Sequence, residues 1–92
     1  MILKVHIADE ARDFLRTVPK KHARQVIAKI ELLAANPRPS QSKELEGYAP
    51  LRRLRSGDYR IVYFVEDDVL KVPIVDKRGD DQVYRNLSRK FR

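Results

Sequence analysis

The stretch Leu51-Arg52-Arg53-Leu54-Arg55-Ser56-Gly57-Asp58-Tyr59-Arg60-Ile61-Val62-Tyr63-Phe64-Val65 decides how this chain folds. Two runs with strand composition, Leu51 to Arg55 and Tyr59 to Val65, are separated only by the turn-forming Ser56-Gly57-Asp58, so they read as a hairpin. A third run, Val69 to Val75, follows after Glu66-Asp67-Asp68, and the short separations predict an antiparallel meander. In the first run a side-chain period of two places Leu51, Arg53 and Arg55 on one face and Arg52 and Leu54 on the other.

Upstream of the meander the pattern is helical. From Lys20 to Asn36 the apolar residues Ala23, Val26, Ile27, Ile30, Leu33 and Ala34 recur at three and four, while Lys21, Arg24, Gln25 and Glu31 take other faces. Pro37 and Pro39 end this helix, and the polar stretch Asn36 to Ser42 reads as the connection from helices to sheet. A shorter helix precedes it, with Asp9 as its N-cap and Ala11, Phe14, Leu15 and Val18 as its stripe. Pro19 closes that helix and suits the opening of the next. The alternation in Ile2 to Ile7 marks a first strand. The last segment, Asp80 to Arg92, reads either as a strand around Val83 and Tyr84 or as a short basic helix with Tyr84, Leu87 and Phe91 on one side; the helix is the reading adopted.

The expected fold is therefore α+β: an N-terminal strand, a two-helix hairpin, a three-stranded antiparallel meander and a short C-terminal helix, with the helices on one face of the sheet. The other face is left for solvent or ligand. A chain of 92 residues buries one modest core, so a single domain over residues 1–92 is expected.

Twenty lysines and arginines against thirteen acidic residues give a net charge of +7, which attracts polyanions and makes nucleic acid the first partner to consider. Charge alone equally describes an ordinary solvated surface, so position has to decide. The absence of cysteine excludes disulfides, thiolate zinc sites and cysteine nucleophiles, and two histidines make no convincing metal site; no cofactor and no metal are implied. His6 reads as a packing or edge residue and His22 as an exposed one. Charges at Lys4, Asp9 and Glu10 break any signal-peptide core, and no apolar run is long enough for a membrane span, so a cytoplasmic protein is expected.

The cations cluster by position. Arg53 and Arg55 share a face, and the tight turn brings Arg60 beside Arg55, so three arginines crowd one end of the sheet. Such crowding costs stability and is most easily accepted where an anion binds. The alternative is a solubilised face, with pairing to Glu44, Glu46 and Asp58.

The combination of Leu54-Arg55-Ser56-Gly57-Asp58-Tyr59-Arg60-Ile61-Val62-Tyr63 with the strand Lys71 to Val75, then Lys77-Arg78 and Val83-Tyr84, resembles the RelE/ParE superfamily of type II toxins, closest to RelE-like mRNA endoribonucleases. The likeness spans the whole chain. It implies a toxin that enters the ribosomal A site, cleaves mRNA by driving a ribose 2′-hydroxyl onto the adjacent phosphate, and so inhibits translation. In the carried-over site Arg60 matches the arginine of the Gly-Tyr-Arg segment, Arg78 the arginine after the last meander strand, and Tyr84 the C-terminal tyrosine. Arg53 stands in place of a family lysine. A second lysine of some members is Leu51 here, and Arg52 cannot replace it because its side chain points to the opposite face.

The resemblance thus implies Arg53, Arg60, Arg78 and Tyr84 as catalytic, and charge and position make Arg52, Arg55, Lys77 and Arg85 the expected RNA-binding residues. The chemistry is coherent without histidine: arginines stabilise charge growing on the phosphorane, and cationic neighbours favour the phenolate of Tyr84 as a general base. Tyr84 alternatively stacks on a base or anchors the last segment. Further implied partners are the ribosome and mRNA, and a cognate antitoxin, acidic where it covers the site, in a hetero-oligomer that binds its own operator through the antitoxin; no membrane is implied. Two other readings stand beside this one. The ParE branch shares the fold but acts on DNA gyrase, and a basic module binds RNA without cutting it.

Overall fold

In the computed structural model, which describes residues 2–77, 85 and 87–89, the hairpin at the centre of the sequence is also the centre of the sheet. The elements run β1 (Lys4–Ile7), α1 (Asp9–Thr17), α2 (Lys20–Ala35), β2 (Lys43–Glu44), β3 (Arg52–Ser56), β4 (Tyr59–Glu66) and β5 (Val69–Asp76). The strand order is β1-β5-β4-β3-β2, with β1 parallel to β5 and every other pair antiparallel. Arg85 and Leu87 to Arg89 are helical, within the segment read as a short C-terminal helix.

Turn chemistry explains the meander. Gly57 sits at φ +59° between β3 and β4, a backbone region that costs glycine little. Between β4 and β5, Asp67 and Asp68 both take positive φ, as a two-residue hairpin loop with the right twist requires; aspartate tolerates that region better than most side chains. One residue of β4, Tyr63, faces two of β5, Val72 and Pro73, and the proline without an N–H lies at this break in the ladder.

The two helices pack on one side. Ala11 and Leu15 of α1 and Val26, Ile30, Leu33 and Ala34 of α2 close over Leu54, Tyr59, Ile61, Tyr63, Leu70, Val72 and Val75. The Tyr63 hydroxyl donates to the Pro37 carbonyl at 2.7 Å, satisfying a polar atom inside this core. The Leu3 N–H donates to the Ala34 carbonyl at 2.9 Å and joins the end of α2 to the first strand.

Three expectations need correction. Asp9 is the first helical residue and Ala8 the N-cap; Asp9 and Glu10 instead place carboxylates at the positive end of α1. Residues 43 and 44, where no element is expected, form a fifth strand along β3, too short and too charged to carry a periodic signal. The face away from α1 and α2 is not left wholly to solvent or ligand. Leu45, Leu51, Val62, Ile74 and Leu87 form a second, smaller core there, with Tyr48 and Phe64 packed against it.

Candidate nucleic-acid interface

The second face of the sheet is apolar at one end and cationic at the other. Directly paired residues project to the same side, so the register places Lys43, Arg53, Val62 and Ile74 in one row and Arg55, Arg60 and Asp76 in the next. Arg55 and Arg60 stand opposite each other with no residue between them. Like charges so placed destabilise a sheet, while Asp76 on the other side of Arg60 offsets part of that cost.

Arg53 is only 8% exposed, while Arg60 is half-buried and Arg55 exposed. The Nε atoms of Arg53 and Arg60 are both buried, so each guanidinium is seated at its stem and directed rather than left to wander. The Arg60 Nη1 donates to the Tyr59 carbonyl at 3.2 Å and reaches the Gly57 carbonyl at 3.5 Å, so the β3–β4 turn itself frames this cation. Three guanidiniums on one face offer the forked donor geometry that suits phosphate oxygens.

The remaining sequence candidates divide. Arg52 is not with this group: its side chain lies on the helix face, where Nε and Nη2 donate to Ser42 Oγ at 3.2 and 2.9 Å. Lys77 is exposed and directly follows β5, whose end stands opposite Arg60. Arg85 is exposed on the C-terminal helical segment. Arg78 and Tyr84 lie outside the described residues. Leu51 is buried in the second core beside Val62, Ile74 and Leu87, which gives a packing reason for an apolar residue at that position.

Two relevant residues stand where the sequence reading does not put them. Lys43 joins the Arg53 row through β2, and no pattern signals a two-residue strand. His22, expected to be exposed, is half-buried, and its Nδ1 shares a 2.8 Å hydrogen bond with the Tyr59 hydroxyl while the two rings meet edge to face. A signal did exist for His22, which lies four residues before Val26 and thus on the buried stripe of α2.

Among the described residues no group of three histidine, aspartate or glutamate side chains could hold a metal ion, and no helix is long and apolar enough to cross a membrane. A comparison with functionally curated proteins found no match. Among solved structures, a chain of the archaeal RelE–RelB complex from Pyrococcus horikoshii OT3 is 32% identical with a TM-score of 0.75, covering 87% of this chain and 99% of that one. A mutant of the E. coli toxin RelE in the free state is 25% identical with a TM-score of 0.79 and full coverage of both chains. The intact E. coli RelBE toxin–antitoxin complex matches at 26% identity and a TM-score of 0.71, covering 84% of this chain and 98% of that one. A family model described as the ParE toxin of the type II toxin–antitoxin system parDE matches residues 5–82. The chain therefore belongs to the ParE toxin family, within the RelE/ParE superfamily of type II toxins.

Proposed function

We propose that this toxin is a ribosome-dependent endoribonuclease that cleaves mRNA in the A site and thereby inhibits translation. One observation carries the reading: Arg53, Arg55 and Arg60 share the second face of the sheet, at the end where β5 leads through Lys77 toward Arg78 and Tyr84. In the proposed reaction the 2′-hydroxyl loses its proton to Tyr84 and its oxygen bonds to the adjacent phosphorus. The bond from phosphorus to the 5′-oxygen then breaks, leaving a 2′,3′-cyclic phosphate and a 5′-hydroxyl. Arg53, Arg60 and Arg78 stabilise the negative charge that builds on the phosphorane. Arg55, Lys77 and Arg85 bind the RNA backbone; Arg52 supports the sheet from the helix face.

Arginines supply charge but hold nothing in line, so free RNA is expected to be a poor substrate and the ribosome to provide the geometry. The basic surface also docks ribosomal RNA. An antitoxin is the second partner, since structures similar to this chain include RelE–RelB and RelBE complexes. A groove of about 540 Å³ between α2 and the edge of β3, lined by Lys29, Leu32, Leu33, Leu54 and Arg55, suits an amphipathic antitoxin segment with acidic flanks. Toxin and antitoxin together bind their operator through the antitoxin.

Primer extension on mRNA translated with the purified protein tests the reading. New codon-positioned 5′ ends are expected, weakened about 10²- to 10³-fold in Arg60→Ala and lost in Arg78→Ala and Tyr84→Phe. A second reading, inhibition of DNA gyrase, is favoured by the family model itself. Intact message together with blocked supercoiling would establish that reading and overturn the ribonuclease.

A further inference from the structure

The leaving 5′-oxygen of the proposed reaction departs as an alkoxide and needs a proton. The arginines of the second face are poor donors, because a guanidinium is a much weaker acid than an ammonium. Leu51 has none to give. A lysine ammonium can act as the donor, and β2 brings one to this face.

Lys43 pairs with Arg53, and Arg53 pairs with Val62, two residues along β4 from Arg60. Lys43, Arg53 and Arg60 therefore project to the same side. Directly paired Cβ atoms lie about 5 Å apart and diagonal neighbours about 7 to 8 Å, so the four-carbon stem of Lys43 can reach a phosphate gripped by Arg53 and Arg60. The side chain is exposed, and no described carboxylate pairs with it.

A strand of two residues at a sheet edge needs something to hold it. Arg52 supplies the hold from the opposite face, donating from Nε and Nη2 to Ser42 Oγ and from Nη2 to the Ser42 carbonyl at 3.4 Å. Ser42 in turn donates from Oγ to the Pro39 carbonyl at 2.8 Å, and its N–H donates to the same carbonyl at 2.9 Å. The residue just before Lys43 is thus tied both to β3 and to the Pro39 turn.

We propose that Lys43 is the proton donor to the leaving 5′-oxygen, and that Arg52 and Ser42 are positioning residues that hold it beside Arg53. This rests on the ribonuclease reading. As the bond from phosphorus to the 5′-oxygen breaks, the Lys43 ammonium protonates that oxygen, and the resulting amine recovers its proton from water.

Single-turnover cleavage on programmed ribosomes tests it with two messages, one ordinary and one carrying sulfur in place of the 5′-oxygen at the cleaved linkage, since a thiolate leaves without protonation. Lys43→Gln and Lys43→Arg are expected to cut the ordinary message about 10²-fold more slowly than wild type and the sulfur message at close to the wild-type rate. Ser42→Ala should show a smaller loss, relieved in the same way. Equal losses on both messages would make Lys43 a binding residue and overturn the proposal, as would wild-type cleavage of the ordinary message by Lys43→Arg. If wild type cuts neither message, the ribonuclease reading falls and this inference with it; if wild type cuts and the Lys43 variants are unimpaired, this inference alone falls.

Discussion

On the helix side of β4, Tyr59, Ile61 and Tyr63 are each 5% exposed or less, and the hydroxyls of both tyrosines are hydrogen-bonded. On the other side the same strand presents Arg60, Val62 and Phe64, of which only Val62 is fully buried. Two helices close the first side from Tyr59 to Tyr63 and leave Val65 exposed at 40%. The second is closed around Leu51, Val62, Ile74 and Leu87, beside Arg53, and it carries Arg55 and Arg60 next to the β3–β4 turn. Charge repulsion between Arg55 and Arg60 is tolerable there because the opposite face supplies the cohesion. The division of labour is thus drawn through single strands, residue by alternate residue.

The most direct way to break this comparison is to exchange damage between the faces. Ile61→Ala removes a fully buried side chain from the helix-side core and is expected to cost about 2 to 5 kcal/mol in chemical denaturation. Arg60→Ala, its neighbour on the other side, should change the denaturation midpoint far less, because relief of the opposed Arg55 offsets the loss of Asp76 and of the turn carbonyls, while the proposed cleavage collapses. If Arg60→Ala proved as destabilising as Ile61→Ala, the second face would be a structural surface and the separation drawn here would be wrong.

A smaller effect probes how the two faces communicate. His22 grips the Tyr59 hydroxyl on the helix side, Phe14 meets the Tyr59 ring edge at 6.1 Å between centroids, and the Tyr59 carbonyl receives Arg60 on the other side. Replacing His22 by Phe keeps an aromatic neighbour but leaves a buried hydroxyl unsatisfied, which is expected to cost about 1 to 3 kcal/mol. The double variant with Tyr59→Phe removes both polar partners and should recover part of that loss. Thermal melts of the single and double variants check this; a double variant no better than the single one would show that the hydrogen bond contributes little.

What could be read from the chain follows from how local each signal is. The meander was legible because alternation, β-branched residues and two short turns all lie within residues 51–75, and the same turn placed Arg60 beside Arg55. The second core was not legible, since Leu45 belongs to no periodic run, the stripe of Leu87 with Tyr84 and Phe91 does not say what it packs on, and both meet Val62 only in three dimensions. Nor was the place of Lys43, which depends on a two-residue pairing and on an arginine reaching Ser42 from the opposite face. Leu51 looked like a gap in a catalytic pattern; packing against Leu87 supplies a structural reason for it. For Arg78 and Tyr84, which lie outside the described residues, the family resemblance remains the basis of their assignment.

The finest test stays on the second face and compares its two ends. Lys71, opposite Phe64, is also a cation of this face, but it lies at the end away from the arginines, where its Nζ meets Glu66 Oε1 at 2.6 Å and sits 5.9 Å from the Phe64 ring centroid. Both partners are substantially solvent-exposed, so the pair is screened and contributes at most about 1 kcal/mol. Glu66→Gln is therefore expected to shift the melting temperature only slightly, by an amount that shrinks further as salt is raised, and to leave mRNA cleavage unchanged. Cleavage rates measured beside those of Arg60→Ala decide the matter. A neutralised Glu66 that altered cleavage would mean that the proposed RNA site takes in the whole face rather than its arginine end, and its boundary would have to move along β4 to Phe64.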